Sequence, residues 1–232
     1  MGSGNALSFS LTSKTGAAAR QLTVRKAIVA GWTGRDVAAM EKHIKELMEI
    51  GVARPATTPI YYRVACARIT TADSIQVSGG DSSGEVEFVM AKIDGKLWVG
   101  AGSDHTDRKV ETYNITVSKQ MCEKPVAAAF WPWEEVAGHW DTLILRAHAV
   151  IGGKRELYQE GSVAAMRAPL ELIEGYNRSQ GSFDEGSIMF GGTLAAKGGI
   201  RAAERFEFEL VDEKLGRRIA HAYDVETLPV LG

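Results

Sequence analysis

Gly84-Glu-Val-Glu-Phe-Val-Met-Ala-Lys-Ile-Asp94-Gly95-Lys-Leu-Trp-Val-Gly-Ala-Gly-Ser-Asp104 is the stretch whose reading decides the fold. Asp94-Gly95 at its centre is the pair demanded by a two-residue type I′ turn, and the flanking residues alternate loosely in polarity, so the stretch reads as a β-hairpin. With those two residues as the turn, Ile93 faces Lys96, and counting outward sets Glu85 directly across from Asp104. Glu87 is the diagonal neighbour on the same face, because residues two apart in a strand share a face. Opposed Cβ atoms lie about 5 Å apart, which lets three carboxylates converge on one point. Like charges so opposed destabilise a sheet unless a proton or a cation meets them. A donor set made only of oxygens selects Mg2+, Mn2+ or Ca2+ over zinc. No Cys-x-x-Cys or His-Glu-x-x-His competes with it. The competing reading has the acids on a solvated edge, with Gly100 and Gly102 forming a bulge that slips the register by one. His105 alternates to the opposite face of the strand and reads as a packing residue rather than a ligand.

The rest of the composition narrows the class. A chain of 232 residues, 45% hydrophobic and without a visible linker, suits one domain with an ample core. We expect residues 7–232 to form it, with residues 1–6 a disordered start or cloning remnant. With 27 basic against 29 acidic residues, no net field favours nucleic acid or an anionic membrane, so a small molecule is the expected partner. Cys66 and Cys122 are isolated and read as reduced thiols of a cytoplasmic protein. The apolar run from Val126 to Trp133 contains Pro132 and is too short to cross a bilayer.

Along the chain, residues 7–12 and 21–30 read as strands on either side of a turn from Lys14 to Arg20. A helix follows, capped by Thr33 or Asp36, with Val37, Met40, Ile44 and Leu47 as its apolar stripe and Gly51 at its end. Strands are expected at 62–69, 74–77, 142–150, 187–190, 206–211 and 217–223, and helices at 113–121 and 168–177. This pattern excludes a regular alternation of strand and helix. No glycine-rich phosphate loop is present.

Several segments, in order, resemble the fumarylacetoacetate hydrolase superfamily, from about Ile28 to Glu226. Glu85-Val-Glu87 is similar to its Glu-x-Glu strand, and Asp104-His-Thr-Asp-Arg108 to its Asp-x-x-x-Arg segment, which together supply three metal ligands. Lys119 falls where the family holds a substrate oxygen near the metal, and Gly192-Thr193 resembles the segment that contacts a substrate carboxylate. His43-Ile-Lys-Glu46 has the spacing of the family's water-activating dyad, and Arg63 lies where the family keeps a basic residue beside the site. Gly153 to Gln159, followed by Leu172-Ile173, resembles a strand and helix of the scaffold. Leu194 stands in place of the usual Pro and Lys109 in place of an Asp, and the separation of Glu87 from Asp104 by a single hairpin is short for the family.

The resemblance implies a mainly β protein with peripheral helices, a mixed β-sandwich roll, and a homodimer. It implies a magnesium-dependent hydrolase that cleaves a carbon–carbon bond in an acylpyruvate-like 2,4-dioxo acid through a metal-held enolate. His43, Glu46 and Lys119 would be catalytic, Arg63, Arg108, Gly192 and Thr193 would bind substrate, and Glu85, Glu87 and Asp104 would hold the metal. Two alternatives stay open: a decarboxylase, dehydratase, hydratase or tautomerase of a 2-oxo acid on the same metal site, and a non-catalytic binding protein on the same scaffold.

Overall fold

A computed structural model describes residues 4–49 and 54–231, leaving aside the side chains of residues 43, 46, 47 and 49. The chain opens with β1 (Asn5–Ser13), β2 (Gly16–Val24), β3 (Lys26–Gly31), α1 (Val37–Glu49) and β4 (Ile60–Val64). Three short strands, β5 (Ile69–Thr70), β6 (Ser74–Ser78) and β7 (Ser82–Ser83), lead into the hairpin of β8 (Val86–Ile93) and β9 (Lys96–Ser103). Then come β10 (Thr106–Asp107), α2 (Arg108–Glu111), α3 (Ile115–Met121), β11 (Lys124–Pro125), β12 (Ala129–Pro132) and α4 (Trp133–Val136). The last part holds β13 (Ile144–Ile151), β14 (Lys154–Ser162), α5 (Pro169–Ser179), β15 (Ser187–Thr193), β16 (Arg205–Asp212) and β17 (Arg217–Leu228).

Two mixed sheets carry the fold. One has eight strands in the order β2-β1-β12-β9-β8-β15-β3-β4, and the other five in the order β14-β13-β16-β17-β6. Phe88, Met90, Val99 and Ala101 of the hairpin pack against Leu145, Ala147, Phe206, Phe208 and Leu210 of the second sheet. The other hairpin face, with Val89, Ala91 and Ile93, packs with Phe9, Leu22, Phe130, Ile188 and Phe190. Burial on both faces explains why the hairpin alternates only loosely in polarity. Asp94 (φ 51°) and Gly95 (φ 71°) both take the positive φ of a type I′ turn. The register runs from Ile93 opposite Lys96 to Val86 opposite Ser103 without a shift, so Gly100 and Gly102 make no bulge.

Several expectations are corrected. The turn placed at Lys14 to Arg20 is shorter, since Gly16 already pairs with Ser13 and Ala17 to Arg20 continue β2. These residues face solvent, so the alternation that marks a half-buried strand is missing from them. The strand at 21–30 is two strands, broken where the Arg25 and Lys26 amides both donate to the Gly186 carbonyl. The segment 62–69 ends as a strand at Val64 and turns through a short 3-10 helix at Cys66–Arg68. Ordered strand begins at Asn5, whose side chain donates to the Cys66 and Ile69 carbonyls, so the expected unstructured start extends no further than Gly4. Asp36 caps α1 by accepting from the Ala39 amide. Of the helix's expected stripe, Met40 and Ile44 are buried and Val37 is exposed in the first turn. The Leu47 side chain and the Gly51 terminator lie outside the described residues. No helix among the described residues is long and apolar enough to cross a membrane.

Candidate metal centre

The hairpin register brings the acids together as the turn dictates. The Asp104 amide donates to the Glu85 carbonyl at 3.0 Å, continuing the ladder one pair beyond the strands. One carboxylate oxygen from each of Glu85, Glu87 and Asp104 lies within 4.8 Å of the others. Glu87 and Asp104 are buried, and the Glu85 side chain keeps 17% of its surface.

Three cations surround them. Lys119, near the end of α3, places Nζ 2.5 Å from Asp104 Oδ2 and 4.0 Å from Glu85 Oε2. Lys124, fully buried, sits 3.1 Å from Asp104 Oδ1 and donates to the His105 carbonyl at 2.5 Å. Arg108 is divided between Glu85 at 3.1 Å and Glu111 at 2.8 Å, and its Nε donates to Ser83 Oγ. Four carboxylates thus face three cations, and Glu87 is the one left unmatched. Among the described residues no Lys, Arg or His pairs with it; its Oε2 accepts the Gly192 amide at 2.7 Å.

The electrostatics follow from this arrangement. Burial, and then the charge of Asp104, push the Glu87 carboxyl well above its ordinary range, against the opposing effects of Lys119 and the Gly192 amide. Burial alone would raise Asp104 too, but Lys119 and Lys124 outweigh it and hold that carboxyl well below the usual range. Lys119 is likewise kept charged: burial lowers it, and Asp104 and Glu85 more than compensate. Burial, followed by Lys124 and Arg108, pulls His105 down to about 3, so its imidazole is neutral.

A divalent cation fits this donor set. Asp104 Oδ1 is buried, with the Lys124 ammonium 3.1 Å away and no other polar partner among the described residues. Glu87 is a buried carboxylate that no Lys, Arg or His among the described residues pairs with. All-oxygen ligation suits a hard ion such as Mg2+, Mn2+ or Ca2+.

A pH dependence follows. The unfolded glutamate titrates near 4.5 and the folded, metal-free Glu87 higher. Between those values the folded chain holds a proton that the unfolded chain has lost, so stability falls as pH rises through the window. Asp104 works in the opposite sense, and its contribution is lost only in acid, as pH falls below 3.8. Since a ligating carboxylate must be ionised, the gain in melting temperature on adding Mn2+ should grow from pH 4 to pH 8. A gain independent of pH would contradict the unmatched state of Glu87.

The remaining expected residues divide. Gly192 and Thr193 meet the trio at the end of β15, where Thr193 pairs with Glu87 across a shift in the ladder. Gln159 of β14 fills that irregularity, accepting from the Val86 amide and donating to Thr193 Oγ1 and the Leu194 carbonyl. The Thr193 hydroxyl donates to the Val86 carbonyl. Arg63 is not brought to the trio: it is exposed, and it donates to the Tyr176 hydroxyl on the other side of β4. Its neighbour Tyr62 is buried, with its ring centroid 5.9 Å from Lys119 Nζ. His43 and Glu46 lie on α1, and their side chains fall outside the described residues.

Sequence reasoning missed Tyr62, Glu111, Gln159 and Lys124. None of the four stands in a local pattern that marks it as part of the centre. Two concavities, of about 490 and 390 Å3, lie elsewhere: one on the outer face of the five-stranded sheet around Arg146, Arg205 and Arg218, the other around Arg35, Trp133 and Trp140.

Comparisons with known proteins bear on the family and the fold. A family model described as Protein of unknown function (DUF2848) matches residues 30–223. No curated protein matches the sequence. Among solved structures, a yeast fumarylacetoacetate hydrolase family protein is 19% identical with a TM-score of 0.60, covering 90% of this chain and 95% of its own. A protein from Burkholderia cenocepacia, described as a candidate fumarylpyruvate hydrolase, is 20% identical with a TM-score of 0.61 over 97% of both chains. A 2-keto-3-deoxyarabinonate dehydratase is 16% identical with a TM-score of 0.65, covering 89% of this chain and 74% of its own. At these identities the likeness establishes the fold, a mainly β architecture shared with fumarylacetoacetate hydrolase family proteins.

Proposed function

Because the chain belongs to the family described as Protein of unknown function (DUF2848), and its fold and acidic trio are those just described, we propose a divalent-metal-dependent enzyme that hydrolyses a carbon–carbon bond in an acylpyruvate-like 2,4-dioxo acid. The observation that carries this reading is the convergence of Glu85, Glu87 and Asp104, with Glu87 buried and unmatched. The description of the Burkholderia cenocepacia neighbour as a candidate fumarylpyruvate hydrolase supports the substrate class.

Glu85, Glu87 and Asp104 would hold the ion, Mg2+ or else Mn2+ or Ca2+. When bound, it supplies Lewis-acid charge that polarises a substrate carbonyl. Lys119, fixed as an ammonium by Asp104 and Glu85, adds positive charge for oxyanion character beside the trio. Arg108 and the Gly192 amide orient Glu85 and Glu87. By the resemblance, His43, three positions before Glu46 on α1, would take a proton from water, a role that imidazoles commonly fill. The water oxygen attacks the acyl carbonyl, the bond to the neighbouring methylene breaks, and the methylene carbon takes up a proton. The products are a carboxylic acid and a 2-oxo acid.

The test is turnover of acetylpyruvate by protein stripped with a chelator and reloaded. Loss of the substrate's enol absorbance is expected with Mg2+ or Mn2+ and not without. His43→Ala should abolish hydrolysis while leaving exchange of the methylene protons with D2O intact. Absence of turnover of any 2,4-dioxo acid with Mg2+, Mn2+ or Ca2+ would remove the proposal.

A further inference from the structure

Behind the hairpin, on the face opposite the carboxylates, lies a closed set of buried hydroxyls around one imidazole. Tyr223 of β17 is fully buried and comes from the second sheet. Its hydroxyl lies 2.8 Å from Ser103 Oγ and 2.9 Å from His105 Nδ1. The other nitrogen of His105 is 2.9 Å from Ser82 Oγ. Ser103 Oγ in turn accepts the Glu85 amide at 3.2 Å. One phenol oxygen therefore touches the side chains on both sides of Asp104, and through Ser103 it reaches the backbone of Glu85.

The local sequence is fitted to this reach. A Cβ at Gly84 would stand 2.7 Å from the Tyr223 hydroxyl and 2.7 Å from the Phe206 ring, so only glycine lets the phenol approach. The bonds are self-consistent in either imidazole tautomer. If His105 Nδ1–H donates to the phenol, the phenol donates to Ser103 and Ser82 donates to Nε2. In the other tautomer each of these bonds reverses, and every group still has a partner. None of these atoms faces the carboxylates, so the set has no route to substrate.

We infer that the Tyr223 hydroxyl is a positioning group for the metal centre: it clamps Ser103 and His105 so that Asp104 and the Glu85 backbone keep the register that makes their carboxylates converge. The inference rests on the metal reading above for its purpose, but the clamp itself concerns the hairpin alone. Groups that orient metal ligands typically contribute about 10–100-fold in metal affinity.

Tyr223→Phe keeps the ring and removes the oxygen. In the metal-free variant, hydrogen exchange at the Glu85 and Asp104 amides is expected to accelerate about 10-fold or more, the loss of about one buried hydrogen bond, while amides from Val89 to Ala101 keep their protection. Mn2+ affinity, read by titration calorimetry or electron paramagnetic resonance, should fall about 10–100-fold. Unchanged exchange at Glu85 and Asp104 overturns the clamp whatever the metal does. Faster exchange with unchanged Mn2+ affinity overturns its role at the metal centre. If the parent protein takes up no Mn2+ but the exchange effect appears, the metal reading fails while the clamp stands. Should Tyr223→Phe fail to fold, Ser103→Ala, which removes one arm, repeats the measurements with exchange at the Asp104 amide and Mn2+ affinity deciding, because Ser103 Oγ itself accepts the Glu85 amide.

Discussion

Replacing Glu87 with Gln is expected to weaken Mn2+ binding by about 100-fold or more and to abolish metal-dependent turnover, while stabilising the metal-free protein. The two effects have one cause. Glu87 is a buried carboxylate that accepts the Gly192 amide beside Asp104 and Glu85, and no cation among the described residues pairs with it. A neutral amide of the same shape keeps the bond from Gly192 and relieves the repulsion, a gain of about 1–3 kcal/mol for removing a buried unpaired group. It also takes away a charged ligand, and losing a ligand costs more than the roughly 10–100-fold of losing a ligand's partner. Thermal unfolding without metal and calorimetric titration of Mn2+ measure the two sides separately. A variant that loses stability without metal would show that Glu87 is satisfied in the metal-free protein, and unchanged Mn2+ affinity would show that it is no ligand.

Gly192→Ala should be the most damaging single-methyl change near the site. Gly192 has φ 106°, which residues with a Cβ rarely adopt, and an added Cβ would land on Thr33 Oγ1 and crowd Met166. Overpacking typically costs about 1–3 kcal/mol and a strained backbone about 1–3 kcal/mol more, so a loss of about 3 kcal/mol or more is expected in denaturant unfolding. The displaced amide also lets go of Glu87, so surviving folded protein should bind Mn2+ more weakly. Thr33→Ala in the same chain removes the oxygen that the new methyl meets and should return part of the stability, leaving the backbone strain. Equal losses in the single and double variants would locate the whole cost in the backbone.

How much of this could be read from the residues depends on the range of the interaction. Asp94-Gly95 closes its hairpin in only one way, so the register and the facing of Glu85, Glu87 and Asp104 follow from counting. Arg205 to Asp212 alternates buried and half-buried positions along its length, and such strands announce themselves. The edge strand from Gly16 to Arg20 did not, because small exposed residues have no pattern to show. Lys124 was invisible as part of the centre because lysines are seldom fully buried, and what reconciles this one to burial is Asp104 and the His105 carbonyl, twenty and nineteen positions away. Tyr223 and Gln159 lie still further along the chain from the hairpin they touch, and no local rule links them to it.

The order in which the strands pair has a consequence for biogenesis. The acidic hairpin is closed by neighbouring residues, whereas Gly192 arrives on β15, which pairs with β3 and β8, and Tyr223 on β17, which pairs in parallel with the distant β6. A nascent chain therefore exposes a two-sided apolar ribbon bearing three acids well before the ribosome has delivered the segments that cover and steady it. Topologies so dominated by remote pairings fold slowly, over about milliseconds to seconds, and chaperones would meet the hairpin during that interval. An ion held by the trio would therefore enter only after β15 and β17 have joined the hairpin.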